Sequence, residues 1–355
     1  MRAKVGLVRG KNRYDNICRV LELVSDDVDF QGRRQVVIKP NFVSTHRQLA
    51  STHVDAVRAV LDFVRARYDG RLVIAEGAAL VNTWEGFERF GYNELIDRYN
   101  VSLVDLNADQ VVSIQVYDQQ LRPKTLRLAR TVVESDLRIS VGPPKTHDVV
   151  IVTMSLKNMI MGSLINPAIA VRKSGRQFLV MSWLSRIVPR FVRESWLIQR
   201  VKTRLFLGGQ SDKMAMHQGY SVINLNLAML ALWVRPHLAV IDGFQAMEGS
   251  GPVNGNSVDW QIALAGVDAL AVDSLTAYLM GFDPTQVGYL TYCRRLGVGV
   301  GEMNRIDVLG NVVLKTVRRQ FRPHPTFHRQ CNWHLENVER WLRPALQVEA
   351  VLTGQ

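Results

Sequence analysis

Over residues 1–150 short β-branched runs alternate with stretches of helical periodicity, and few folds accept that order. VGLVR (5–9), VVIK (36–39), RLVIA (71–75), VSLVDL (101–106) and RISV (138–141) read as strands. Between the second and third, residues 52–68 set Val54, Val57, Leu61 and Val64 on one stripe, as a helix with one buried face does. Repeated strand–helix–strand order implies a largely parallel sheet covered by helices. The expected fold class is therefore α/β, a mostly parallel sheet flanked by helices, with a helical basic insertion and a C-terminal helical tail.

The insertion comes next. Residues 165–213 carry no clean strand, several aromatics and a concentration of positive charge. From Tyr220 the α/β pattern resumes, with a helix through Trp233 and a strand HLAVIDG (237–243). A loop rich in Gly and Asn is expected over 246–256, then helices up to about Gly281 and Leu296, and a strand over 305–309. A terminal helix is placed around 335–342. The expected organisation is a first part of the core (1–164), a basic insertion or lid (165–213), a second part of the core (214–314) and a basic tail (315–355).

Bulk properties narrow the class. A chain of 355 residues exceeds one average core, and 47% hydrophobic with 21% charged residues is a globular composition. Cys18, Cys293 and Cys331 lie far apart, with no spacing for a disulfide framework, zinc or a 4Fe-4S cluster. The N-terminal apolar run is strand-like rather than a signal peptide, and the longest apolar run, 222–234, contains Asn224 and Asn226. A cytoplasmic protein is expected. The net charge of +12 points to an anionic partner, but its distribution is uneven. Residues 165–210 hold nine basic residues against the single acid Glu194, a local +8.

In open α/β sheets ligands bind beyond the carboxyl ends of the strands. Here that rule collects Lys39-Pro40-Asn41, Glu76-Gly77, Lys145-Thr146-His147 and Asp242-Gly243, with Glu248 soon after. Lys145 beside His147 suggests an anion or carbonyl site, although His147 would also serve as a simple cap. Lys157 and Asn158 fall inside the apolar helical stretch TMSLKNMIMGSL, where a lysine is costly unless it is paired, meets a ligand or snorkels to solvent. Asp242 with Glu248 is a candidate for a divalent cation or for acid–base work, against a bland role in turn capping. Gly251 is a candidate for close backbone approach to an anion. His217 is read as structural. No metal ligand set stands out, and the cofactor stays open.

The blocks VVIKPNF (36–42), VGPPKTHDVVIVTMSLKNMIMG (141–162), LAVIDGFQAMEGSGPVNG (238–255) and LAGVDALAVDSLTAYLMGFDP (264–284) together resemble the domain-of-unknown-function family 362, DUF362. The resemblance implies shared polar positions at Lys39, Asn41, Lys145, His147, Lys157, Asn158, Asp242, Glu248, Asp268 and Asp273. Many members of that family carry a ferredoxin-like iron–sulfur module. This sequence lacks its cysteine quartet, so the electron-transfer role is not carried over.

Three functions compete. The first is an enzyme on a small carboxylate or phosphate ester. In it Lys39, Asn41, Asn158, Glu248 and Gly251 surround the substrate, and Lys145, His147, Lys157 and Asp242 supply acid–base or redox chemistry. The second is a protein docking on nucleic acid or an anionic membrane through the basic insertion. The third is a metal or cofactor carrier. Oligomeric state is not read from the sequence.

Overall fold

The computed structural model describes residues 2–79, 81–170 and 211–344. Its strands are β1 (Ala3–Arg9), β2 (Gln35–Lys39), β3 (Arg71–Glu76), β4 (Val101–Asp105), β5 (Val111–Tyr117), β6 (Pro123–Ala129), β7 (Leu137–Gly142), β8 (Lys145–His147), β9 (Ile151–Thr153), β10 (Leu238–Glu248), β11 (Asn256–Gly266) and β12 (Ile306–Leu309). The main sheet runs β12-β1-β11-β10-β7-β2-β3-β4, and a β8–β9 hairpin hangs from the far end of β10. The pairs β10–β7, β7–β2, β2–β3, β3–β4 and β1–β12 are parallel. β11 runs against both of its neighbours. The protein is thus α/β with a mostly parallel sheet.

Side chains alternate across each strand, so the sheet feeds two cores. Val36, Ile38, Ile139 and Val240 pack on one face against helices Arg13–Glu22 and Val54–Arg65. Val37, Val73 and Ile241 pack on the other against helices Ser155–Ser163, Tyr220–Val234 and Ala269–Leu279. The Tyr220–Val234 helix is buried on nearly every side, which is why it shows no amphipathic stripe. Its asparagines have local uses. Asn226 exchanges hydrogen bonds with the backbone N–H and C=O of Tyr117, and Asn224 Oδ1 accepts the Tyr289 N–H at 2.7 Å. Among the described residues no helix is long and apolar enough to cross a membrane.

One expectation is trimmed. The loop placed over 246–256 is shorter at both ends: β10 continues to Glu248, β11 begins at Asn256, and the Gly-Pro-Asn cluster fills the connection 249–255 between them. The tail carries the expected terminal helix and packs on the core. Phe321, Trp333, Val338 and Leu342 are buried, Trp260 packs on Phe321 at 4.9 Å between ring centroids, and residues 338–344 are helical.

The expected basic insertion lies largely outside the described residues. Its boundaries do not: the Asp212 N–H donates to the Ile165 carbonyl at 3.1 Å.

Candidate functional site

The carboxyl ends of β2, β3 and β7 meet the Ser155–Ser163 helix in a buried polar floor. Lys39, at the end of β2, is wholly buried and donates to Glu76 Oε2 (2.8 Å), Asn158 Oδ1 (2.9 Å) and the Pro40 carbonyl (2.9 Å). Burial pulls its pKa down while Glu76 pulls it up. Asn41 Nδ2 donates to the same Asn158 oxygen at 3.0 Å, and Asn158 Nδ2 donates to Ser140 Oγ at 3.0 Å. Helical position 162 must be glycine for this to fit: a Cβ there would sit 2.0 Å from Lys39 Cε. All three ammonium protons of Lys39 are used. It holds the floor together and has none left for a substrate.

Asp273, from the Ala269–Leu279 helix, anchors the helix that carries Lys157 and Asn158. Its carboxylate accepts the N–H groups of Ser155 and Leu156, both at 2.9 Å, in place of a side-chain N-cap. Burial raises its pKa to about 7 against the pull of those two donors.

Beside the floor stands a wall of groups whose hydrogen bonding is not closed. Lys145 starts β8 and donates to Asn41 Oδ1 and to the Ala50 carbonyl (2.8 Å). Burial, then Lys157 and Lys39, lower its pKa to about 7 despite Glu76. Two acceptors satisfy a neutral amine and leave its lone pair unengaged. His147 ends the same strand, with 4% of its surface exposed. Its Nδ1 lies 3.0 Å from both the Val149 nitrogen and Asp148 Oδ1, so this one ring atom either accepts from the amide or donates to the carboxylate. Burial, then Lys157, lowers the His147 pKa to about 4, so the ring is neutral at pH 7.

Lys157 is 94% buried by its 6% relative exposure, yet its Nζ makes no hydrogen bond with any described residue. Burial lowers its pKa to about 8, partly offset by Asp148. Its charge acts on Lys145, His147, Asp148 and His217, so these groups share one neighbourhood. His217 is exposed, and its Nδ1 lies 3.1 Å from the Lys213 carbonyl. A carbonyl only accepts, so Nδ1 carries the proton and Nε2 is left as an acceptor.

Three expected members do not join. Asp242 follows Val240 on the opposite face of β10 from Ile241, and it pairs with Arg13 at 3.0 Å. Glu248 sits six residues further along the same strand, roughly 20 Å away at about 3.3 Å per residue. There it accepts the Arg322 N–H at 3.0 Å. The cation site proposed between these carboxylates is therefore not formed by the fold, and among the described residues no group of three His, Cys, Asp or Glu comes together for a metal. Gly251 is spent on the chain itself, since a Cβ there would lie 2.1 Å from the Thr146 carbonyl oxygen.

The structure gives roles to residues that the sequence reading left without one or did not name. Glu76 partners Lys39. Lys213 is buried under the floor, donating to Asn107 Oδ1 (2.8 Å) and the Leu164 carbonyl; burial lowers its pKa to about 7. Asp148 and His217 complete the wall. The strand-end rule named Glu76 without a role, whereas Lys213 was hidden in a run of surface-like basic residues.

Comparisons with known proteins place the chain. The family model described as a domain of unknown function, DUF362, matches residues 36–278. A thylakoid-associated protein of Synechocystis sp. is 20% identical over 266 residues, covering 74% of this chain and 68% of that protein. The lactate racemase apoprotein of Thermoanaerobacterium thermosaccharolyticum has a TM-score of 0.40 at 13% identity, over 84% of this chain and 58% of that one. A Thermotoga maritima protein gives 0.41 at 8% identity, over 81% and 59%. The chain spans less than two thirds of the length of these solved proteins.

Proposed function

The chain belongs to the DUF362 family, and from the chemistry around Lys157 we propose that it is an enzyme acting on a small carboxylate or phosphate anion by proton transfer. The observation that carries this reading is a lysine with a largely buried side chain whose ammonium has no hydrogen-bonding partner among the described residues and is not sealed from solvent. A partly desolvated ammonium open on one side is favourably met by an anion that enters from solvent. Around it stand a lysine whose pKa of about 7 makes it a base at neutral pH and a neutral histidine beside a carboxylate. Lys157 then docks the anion, Lys145 removes a proton and His147 supplies one. Asn41 orients Lys145, and Lys39, Asn158 and Glu76 hold the floor.

The test has two parts. Calorimetric titration with oxalate and with inorganic phosphate should show saturable binding that Lys157→Met weakens at least about tenfold, the scale of a lost charged contact. Incubation with 2-oxo acids in D2O, followed by proton NMR, should show exchange at the carbon beside the carbonyl, lost in Lys145→Met. Equal anion binding by wild type and Lys157→Met would sink the reading.

A second reading has its own support. Nine basic residues in 165–210, together with a thylakoid-associated relative, favour attachment to an anionic membrane surface. Co-sedimentation with phosphatidylglycerol vesicles at low salt, reversed by high salt, tests it. Protein left in the supernatant at low salt rules it out.

A further inference from the structure

The β8–β9 hairpin bears His147 and Asp148, and its backbone is not held by its own short strands alone. Ile151 opens β9 at φ 67°, a left-handed conformation that a β-branched residue adopts only under constraint from its surroundings. The constraint comes from the C-terminal tail. Gln330 is 1% exposed, and its amide spans the hairpin: Nε2 donates to the His147 carbonyl at 2.8 Å, and Oε1 accepts the Ile151 N–H. Nε2 also donates to Thr326 Oγ1 at 2.8 Å, and that hydroxyl donates to the Asp148 carbonyl at 2.7 Å. Two residues of the tail thus engage the backbone of His147, Asp148 and Ile151.

The tail is tied down elsewhere. Arg322 donates its N–H to Glu248, and its carbonyl accepts the Gly249 N–H at 2.7 Å. Trp333 Nε1 donates to the Gln286 carbonyl at 2.8 Å. Gln330 is therefore set in a fixed frame. It also lies well beyond residue 278, where the family match ends.

We infer that Gln330, assisted by Thr326, is a positioning residue that fixes the His147-Asp148 hairpin, so that the tail beyond the family match completes the candidate site. This rests on the reading of His147 as a site residue. Its geometry has a chemical signature. Across the hairpin Gln330 must donate to the His147 carbonyl and accept from the Ile151 N–H; a protonated Glu keeps both of these and loses only the second donation to Thr326, whereas a charged Glu has no donor.

The test follows the His147 ring directly by NMR, so it does not depend on a substrate. The ring faces Lys157 and His217 as well as Asp148, and in wild type it should stay neutral from pH 8 down to about pH 5, in line with its burial. In Gln330→Ala, with the fold confirmed by circular dichroism, the released ring should titrate near its ordinary value of about 6.5. Oxalate affinity should fall about tenfold, as expected for a site group displaced by about an ångström. Gln330→Glu should match wild type in oxalate affinity at about pH 5.5 and fall toward the alanine variant at pH 8. An unchanged His147 titration in Gln330→Ala overturns the inference. So does a Gln330→Glu variant that is equally impaired at both pH values, because that is plain damage to packing. If wild type binds no oxalate, the proposed function fails, while the ring titration still decides the role of Gln330.

Discussion

Lys39 ends β2 and Lys157 sits on the Ser155–Ser163 helix that packs beside it; both side chains are largely buried, and the fold treats them in opposite ways. Lys39 reaches a carboxylate, an amide oxygen and a carbonyl, one acceptor for each proton. Lys157 reaches none among the described residues and keeps its charge near Asp148 only at a distance. Burial of a lysine therefore does not mark a site. Unmet bonding capacity beside an opening does, because a partly desolvated ammonium keeps its donors for whatever enters. The first lysine belongs to the architecture of the floor and the second to whatever the pocket holds.

The largest expected effect probes the closed half of this comparison. Glu76→Ala leaves the buried Lys39 charge uncompensated and should lower the unfolding free energy by about 3–5 kcal/mol in urea titrations. The double variant Lys39→Met with Glu76→Leu removes both charges and should recover most of that loss. A Glu76→Ala cost below about 1 kcal/mol would mean that the pair is solvated in solution, and the contrast with Lys157 would disappear.

The next effect probes the open half. Lys157→Met removes an unpaired charge, so stability at pH 7 should hold or rise while oxalate affinity collapses. The sign of the pH dependence follows from its lowered pKa. The unfolded chain keeps the proton up to about 10.5 and the folded protein releases it near 8. Stability therefore rises with pH through that window, by about 1–2 kcal/mol between pH 8 and 9.5 for one proton. In Lys157→Met this portion of the slope should be missing. A methionine variant destabilised by as much as Glu76→Ala would show that Lys157 has structural partners after all.

Much of this fold was legible in the sequence, for a simple reason. The five runs over 5–9, 36–39, 71–75, 101–106 and 138–141 are β-branched and sharply punctuated, and each emerges as a strand within two residues of its expected bounds. Ends of parallel strands gather at one edge, so Lys39, Asn41, Lys145 and His147 were brought together by topology alone. Asp242 escaped because strand-end proximity ignores the two-residue alternation that turns it toward Arg13. Glu248 escaped because Gly and Pro after it concealed how far β10 extends. Gln330 left no trace at all: a glutamine in a basic tail shows its value only through the hairpin it bridges.

Asp273 offers a smaller effect that sharpens the contrast, since it acts on the wall without belonging to it. Its two backbone partners start the helix that presents Lys157, and Asp273→Ala should cost about 1–2 kcal/mol as a lost N-terminal cap. Its folded pKa of about 7 lies above the ordinary 3.8, so its contribution is full below about pH 4 and fades as pH rises through 7. Unfolding titrations at pH 4.5 and 8 should therefore show the alanine variant losing more at the lower pH. A uniform loss would place the carboxylate in the charged state throughout.

Ser140→Ala is the smallest perturbation and the most discriminating. Ser140 Oγ accepts from Asn158 Nδ2 at 3.0 Å, and without it that amide hydrogen retains only the Lys39 carbonyl at 3.5 Å. The loss should be about 1 kcal/mol, the scale of one buried hydrogen bond. Asn158 still offers its oxygen to Lys39 and Asn41, so the floor should keep its shape and the wall should not register the change. Oxalate affinity should then stay within about twofold of wild type, less than 0.5 kcal/mol. A larger drop would show that strain in the floor reaches Lys145 through Asn41, which bonds both Asn158 and Lys145. In that case the closed and open halves would be one coupled network, and the separation drawn between Lys39 and Lys157 would have to be replaced by a gradient along Asn41.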